Sequence, residues 1–474
     1  MQTKSGGAHS SSGIRRRSFL KGVLATGALS VAAPNILLAD STNKVRLACV
    51  GIGNRGEDVI KALNLSGLAE IVALCDTDIG AKHTQPILQM FPNVPRFQDF
   101  RKMFDKMSKQ IDAVSVATPD FSHFPISMLA MSLGKHVYCE KPMAHSFRQI
   151  ELMMAAEKKY KVACQMGNQG HSEANYFQFK TWVEAGIIKN VTQITAFMNA
   201  ARRWHGMKVD GLLPEQPVPE TLDWDCWLAT AQRHAYNSGY THGDWRSWFD
   251  FGDGTLGDWG AHIFDTAHEF LKLGLPTEVE AVKIEGHNQF IFPQASTLAF
   301  RFPKRDSLPP VELTWYDGQN NFPPLPDNFG RLNDDSDVSP SSSDNNAPRK
   351  NLSPGKVIYG EGLVFKGGSH GSILRIIGGA NAKEIASKLP KVPKSPSNHA
   401  ENFLKAVTGD EKCRSNFAVA GPLCQAMTLG IIAQRVNATV KFDPAKKRIT
   451  NHKVANELLK GVPARKEWEQ YYKL

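Results

Sequence analysis

From Lys44 onward, short apolar runs alternate with amphipathic stretches. KVRLACVGIGNRGEDVIKAL is an apolar strand that enters a glycine-rich turn and continues as a helical pattern. A second strand runs from Glu70 to Cys75, and IDAVSVATP (Ile111 to Pro119) is a buried-type strand followed by an amphipathic segment, Phe124 to Leu133. GKHVYCEKP (Gly134 to Pro142) is another strand, leading to a helix over Phe147 to Tyr160 and a strand over Val162 to Met166. Strands alternating with helices predict right-handed crossovers and a doubly wound parallel sheet in an α/β fold. The pattern changes at Val191, where VTQITAFM, TEVEAVKIEG, STLAFRF and PVELTWYDG predict a strand-rich second region. Two helical patterns, His399 to Thr408 and Ala418 to Val436, have the spacing of core helices. Between Asp317 and Gly360 a polar segment containing NDDSDVSPSSSDNN breaks both periodicities and reads as a mobile surface excursion, a lid or an oligomer arm.

Composition narrows the class. The chain has 474 residues, 42% hydrophobic and 22% charged, which suits two globular domains and excludes disorder, collagen and coiled coil as global descriptions. Beyond the N-terminus no apolar run reaches the roughly 18 to 20 residues that span a bilayer, so no membrane span is expected in the mature chain and a multispan transporter is excluded. The net charge of +10 suggests a polyanion partner until its distribution is read: Lys4, Arg15, Arg16, Arg17 and Lys21 precede residue 40, where no Asp or Glu occurs. The remaining basic clusters, Lys388, Lys391 and Lys394 or Lys446, Lys447 and Arg448, lie in Pro-punctuated or turn-like stretches without interleaved aromatics, so no nucleic-acid partner is expected. Seven cysteines with no CxxC argue against a disulfide framework or a structural zinc site. Reduced, structural thiols are the expectation.

The glycine turn carries the first chemistry. In Gly51-Ile52-Gly53-Asn54-Arg55-Gly56, the first glycine permits the tight turn, the second lets backbone approach a pyrophosphate, and the third allows close helix packing. The next strand ends at Asp76, twenty residues after Gly56, where a carboxylate accepts hydrogen bonds from ribose hydroxyls and repels a 2′-phosphate. This predicts NAD; Arg55 and Lys82 leave NADP open. The strands' carboxyl ends, where ligands sit in such sheets, carry Thr118, Pro119, Asp120, His123, Glu140, Lys141 and Asn168. Farther on, Asp258 and His262 in GTLGDWGAHIFD are four residues apart and share a helix face. A bland alternative makes Asp258 a helix N-cap and His262 a satisfied core histidine. His262, Asp265 and His268 do not present a single metal-ligating face, so no metal is expected. Tyr236, Tyr240, His242, Trp245, Arg246 and Trp248 suit a pyranose or a buried core equally, and His171 is a further candidate for the pocket.

In this combination and order, VGIGNRG, Asp76, VATPDFSH, GKHVYCEKP, QMGNQGHS and GTLGDWGAHIFD resemble the glucose-fructose oxidoreductase, inositol dehydrogenase and MocA (Gfo/Idh/MocA) family, from about Lys44 to the C-terminus. The resemblance implies an NAD(P)-binding Rossmann domain, 40–166, followed by an α/β domain, 167–474, whose large open, mostly antiparallel sheet often forms the oligomer interface. A homo-oligomer, dimer or tetramer, is implied. It also implies oxidation of a sugar, sugar derivative or cyclitol carbinol by hydride transfer, carrying over Lys141 from the Glu-Lys-Pro motif and Asp258 and His262 from the D-x-x-x-H motif. In those roles His262, with an unperturbed pKa of about 6.5, takes the hydroxyl proton, Lys141 stabilises the developing alkoxide, and Asp258 orients the imidazole or binds a neighbouring hydroxyl. Some exported relatives of this kind are redox-neutral glycosidases, so the resemblance permits that reaction too, although their signature around the substrate histidine differs from GDWGAH. A sugar-binding protein with a vestigial nucleotide site is disfavoured by the intact Lys141, Asp258 and His262. The sequence departs from the family at LATAQRHAYN, where relatives often carry a Gly-Pro-rich turn.

Arg16-Arg17-Ser18-Phe19-Leu20-Lys21, the weakly apolar stretch to Ala33 and the small residues after it resemble a twin-arginine export signal over 1–39. Cleavage after Ala32 or Ala39 is expected, with a periplasmic or extracellular destination. Because that route carries folded proteins, a tightly retained cofactor is expected as well.

Overall fold

The computed structural model describes residues 44–202, 204–330 and 352–474. The signal-like segment and the polar run 333–346 lie outside the described residues.

The first sheet contains β1 (Val45–Val50), β2 (Ala69–Cys75), β3 (Arg96–Phe97), β4 (Ala113–Val116), β5 (His136–Cys139) and β6 (Cys164–Met166), in the order β3-β2-β1-β4-β5-β6. All its pairings are parallel. Helices cover both faces, which is why β4 is buried at every position and reads as a continuous apolar run rather than an alternating one. Strand order reverses between β1 and β4, so the ligand crevice opens at their carboxyl ends.

The second sheet contains β7 (Gln193–Met198), β8 (Glu278–Glu285), β9 (Ala295–Phe302), β10 (Val311–Gly318), β11 (Gly355–Gly360), β12 (Leu363–Gly368), β13 (Arg375–Gly378), β14 (Val440–Asp443) and β15 (Arg448–Ile449). Its order is β13-β12-β11-β7-β10-β9-β8-β14-β15, with β7 and β10 parallel and the other pairings antiparallel. β10 runs through Gly318 and β11 starts at Gly355, so the expected excursion from Asp317 to Gly360 has structured ends. Phe329 and Leu352 are buried against Phe197 and Val357, and this apolar anchoring narrows the excursion.

The helix Phe417–Val436 corrects one expectation. With 20 residues and a mean hydropathy of 1.4, it is long and apolar enough to cross a membrane, although 83% of that stretch is buried within the protein. It packs against the helices Phe147–Tyr160 and Gly254–Ile263 and against β8. Its Gln434 donates from Nε2 to Ser296 Oγ at 2.7 Å, a polar tie to the second sheet.

The nucleotide half is completed by late sequence. Phe403, Leu404 and Val407 of the helix His399–Thr408 share a core with Val45, Leu47, Ile60 and Leu63. Trp468 packs on Phe100 with ring centroids 5.9 Å apart. All seven cysteines are free and buried.

Two glycines shape the turn after β1. Gly51 has φ +80°, a left-handed value that Gly adopts without the Cβ penalty. At Gly56, a Cβ would lie 2.1 Å from the Gly51 carbonyl oxygen, so the helix Arg55–Leu65 approaches the turn more closely than any side chain permits. Gly56→Ala is therefore expected to destabilise the chain by roughly 1–3 kcal/mol through overpacking against backbone. A lowered thermal midpoint together with weakened NAD binding in calorimetric titration checks this.

Candidate active site

A cleft of about 560 Å³ runs along the carboxyl ends of β1, β2, β4 and β5 and is closed by residues of the second region. At one end lie Gly51, Gly53, Asn54 and Arg55 from the turn, with Asp76 and His83. Ile52 is buried beneath the cleft, and its backbone N–H donates to Asp76 Oδ2 at 3.0 Å. Asp76 Oδ1 accepts from the Asp78 N–H at 3.0 Å. Burial pushes the Asp76 carboxyl up, and these two N–H groups oppose that shift. Backbone donors thus fix the carboxylate at the strand end, where its remaining lone pairs can meet a ribose diol.

Arg55 lines the cleft but is engaged by a buried carboxylate. Its Nε and Nη2 donate to Glu140 Oε1 at 3.0 and 2.8 Å, and Glu140 is buried. Lys82 is not among the lining residues. The NADP alternative thus loses both of its expected anchors. Thr118 and Pro119 line the middle of the cleft, and the ring nitrogens of His123 lie 2.8 Å from the carbonyl oxygens of Thr118 and Pro142, tying the β4 and β5 loops together.

At the other end, Lys141 meets the helix Gly254–Ile263. Lys141 Nζ donates to Asp258 Oδ1 at 2.6 Å and to the Asp258 carbonyl at 2.8 Å. Arg202 Nη2 donates to Asp258 Oδ2, and Arg246 Nε lies 3.7 Å from Oδ1. Burial opposes the charge of Asp258, but Lys141, Arg246 and Arg202 outweigh it and hold the carboxyl well below the usual carboxylate range. The helix starts at Gly254, one turn earlier, so Asp258 is not its N-cap.

His262 lies one turn beyond Asp258, buried but lining the cleft, and its Nδ1 has no hydrogen-bond partner. Burial first, then the charge of Lys141, pulls its pKa well below that of a free histidine. Two expectations are corrected here. His262 does not titrate near neutrality, because it is desolvated beside an ammonium. Asp258 does not orient it, because the carboxylate oxygens are taken by Lys141 and Arg202. The imidazole instead stacks on His370, with ring centroids 3.8 Å apart and planes 16° apart, and the His370 N–H donates to the His262 carbonyl at 3.1 Å.

Two family profiles match this chain. One, an oxidoreductase family with an NAD-binding Rossmann fold, covers residues 45–168; the other, the C-terminal α/β domain of that oxidoreductase family, covers 175–295 and 359–470. The chain belongs to the Gfo/Idh/MocA oxidoreductase family. Its cofactor is NAD, and the glycine turn and anchored Asp76 fit that group. Among curated relatives, inositol 2-dehydrogenase of Salmonella typhimurium is 26% identical over 38% of this chain and 51% of its own length. Glycosyl hydrolase family 109 protein 2 of Shewanella sp. ANA-3 is 28% identical over 42% and 49%. The match thus spans about half the length of these relatives. Among solved structures, the WlbA dehydrogenase of Chromobacterium violaceum, in complex with NADH and UDP-GlcNAcA, shares the fold with a TM-score of 0.55 at 16% identity, covering 85% of this chain and 97% of that one.

Within this Gfo/Idh/MocA chain, several expected site residues lie elsewhere. Asn168 is buried outside the cleft, donating to Asp265 Oδ1 at 2.9 Å and accepting from Ser415 Oγ at 2.6 Å. His171 is also withdrawn: Nδ1 lies 2.7 Å from Asp265 Oδ1 and Nε2 is 2.9 Å from Glu269 Oε2. These contacts tie the end of β6 to the helix Asp265–Phe270. His268 Nε2 is paired with the Gly274 carbonyl at 2.8 Å. Tyr236 and Tyr240 meet Trp224 and Trp248 edge-on in an aromatic core, and only Trp245, Arg246 and His242 of that cluster line the cleft. Arg202, Trp259 and His370 line it without having been singled out. Arg202 follows the end of β7 and His370 sits in the glycine-rich GGSHGS loop after β12, two places where strand ends meet the cleft.

Burial opposes the charge on His171, but Asp265 and Glu269 override it and raise its pKa to about 10. A raised folded-state pKa stabilises fully below the unfolded value, about 6.5, and that contribution is lost as pH rises through the folded value. Thermal unfolding midpoints are thus expected to fall between about pH 6.5 and 10. In His171→Asn the fall should be shallower over the same range; parallel curves exclude the assignment.

Proposed function

We propose that this chain is an exported NAD-dependent dehydrogenase that oxidises or reduces a carbinol of a sugar, sugar derivative or cyclitol and holds its cofactor tightly. The observation that carries this reading is the convergence of Lys141, Asp258 and His262 in one cleft with the glycine turn and Asp76. NAD, when bound, supplies the hydride acceptor. His262 lines the cleft as a neutral imidazole, the group that takes the hydroxyl proton. Lys141 gives two of its three N–H donors to Asp258, which leaves the third for the reacting oxygen. The ammonium thereby meets negative charge that develops as the proton leaves, in a site with little water to screen it. Export is supported by the signal-like arginine pair and by seven unbridged thiols that need no oxidising folding route. The broad second sheet supports a homo-oligomer built across its face.

A second reading rests on the likeness to the glycosyl hydrolase family 109 protein. In it, oxidation at C3 acidifies C2–H, the glycosidic substituent leaves, water adds, and the hydride returns to C3. Free sugar released with no net oxidation distinguishes it from a dehydrogenase, which yields an oxidised sugar and needs a second substrate to reoxidise the retained cofactor.

Purified protein, once denatured, is expected to release close to one NAD or NADH per chain, identified by mass spectrometry. Protein that carries none and fails to bind added NAD contradicts the proposal. Lys141→Ala should cut hydride transfer by roughly 100-fold or more. The fold should survive, because Arg202 and Arg246 still face Asp258. Near-normal turnover with an unchanged circular dichroism spectrum removes Lys141 from the chemistry.

A further inference from the structure

Three cations meet at the substrate end of the cleft: Lys141, Arg202 and Arg246 all converge on Asp258. Glu140 is already engaged by Arg55. Asp120 also lines the cleft, where Arg246 and Lys141 act on its carboxyl, and its Oδ2 accepts from the Asp253 N–H at 3.1 Å. Positive charge in a partly desolvated cleft is unfavourable unless an anion joins it.

Arg246 is placed to receive that anion. Its Nε is 3.7 Å from Asp258, beyond hydrogen-bonding distance, and none of its guanidinium nitrogens hydrogen-bonds a described residue. Its Cζ lies 4.1 Å from the Trp245 ring centroid, so the indole face fixes the plane of the guanidinium. The backbone is fixed as well: a Cβ on Gly252 would lie 2.6 Å from the Arg246 Cα. A stacked guanidinium with an unoccupied fork is the geometry that takes a carboxylate or phosphate through two parallel hydrogen bonds.

We propose that Arg246 forms an anion subsite beside Lys141 and Asp258, so that the substrate is an acidic sugar bearing the carboxylate of a uronic acid or a phosphate ester. This rests on the dehydrogenase reading for the fate of the substrate, while the subsite itself rests on Arg246. The test is calorimetric titration of the NAD-loaded protein with glucuronate, galacturonate and glucose 6-phosphate against glucose and galactose. At least one acid should bind about tenfold more tightly than its neutral parent, and which acid does so separates a carboxylate from a phosphate. Arg246→Met should abolish that preference, Arg246→Gln should do the same with a polar side chain of similar reach, and Arg246→Lys should retain part of it. No acid preference in the wild type, or a preference that survives in Arg246→Met and Arg246→Gln, overturns the proposal. Acid binding without formation of reduced nicotinamide in the same samples overturns the dehydrogenase reading and leaves the subsite standing.

Discussion

The contact between Lys141 and Asp258 fixes the register of the whole site. Its partners are 117 residues apart in the chain, one at the end of a strand in the parallel sheet and the other on a helix packed beneath the antiparallel one. Both side chains are largely buried, and buried charges are tolerated only when paired and hydrogen-bonded. The pair ties that strand end to that helix.

The same pairing explains an unusual histidine. In water, His262 would exchange its proton near neutrality. Inside the cleft it is desolvated and lies near an ammonium, so the neutral ring is the resident form. Stacking on His370 holds the ring by shape rather than by charge, and His370 is itself pushed down to about 4 by burial and by the charge of Lys141. The site thus separates two tasks that a histidine and carboxylate dyad would combine. Charge is held by Lys141 and Asp258; an uncharged acceptor is held by aromatic packing.

Local pattern made the first sheet legible. Helix Phe147–Tyr160 and helix His399–Thr408 lie where their apolar spacing places them, and β2 starts one residue before Glu70. The glycine turn and Asp76 were visible at strand ends, whereas Lys141, Asp258 and His262 were singled out by the family motifs they resemble. Asn168 and His171 were not separable from them by position: they too follow a strand, and only the three-dimensional approach of Asp265 and Glu269 withdraws them into the core. Arg202 and His370 fall in loops after β7 and β12, where no period exists and the path of the chain depends on contacts made by distant strands. The aromatic cluster divides for the same reason, with Tyr240 buried and Arg246 in the cleft six residues later.

The packing of Phe403, Leu404 and Trp468 against the nucleotide half sets an order of events on the ribosome. The strand that carries the glycine turn emerges early, yet part of the apolar surface around it is covered only by the last fifth of the chain. At roughly 5–20 residues per second, that wait is some tens of seconds. A nascent chain in this interval exposes a sticky sheet face with no partner, the kind of surface that holdase chaperones engage.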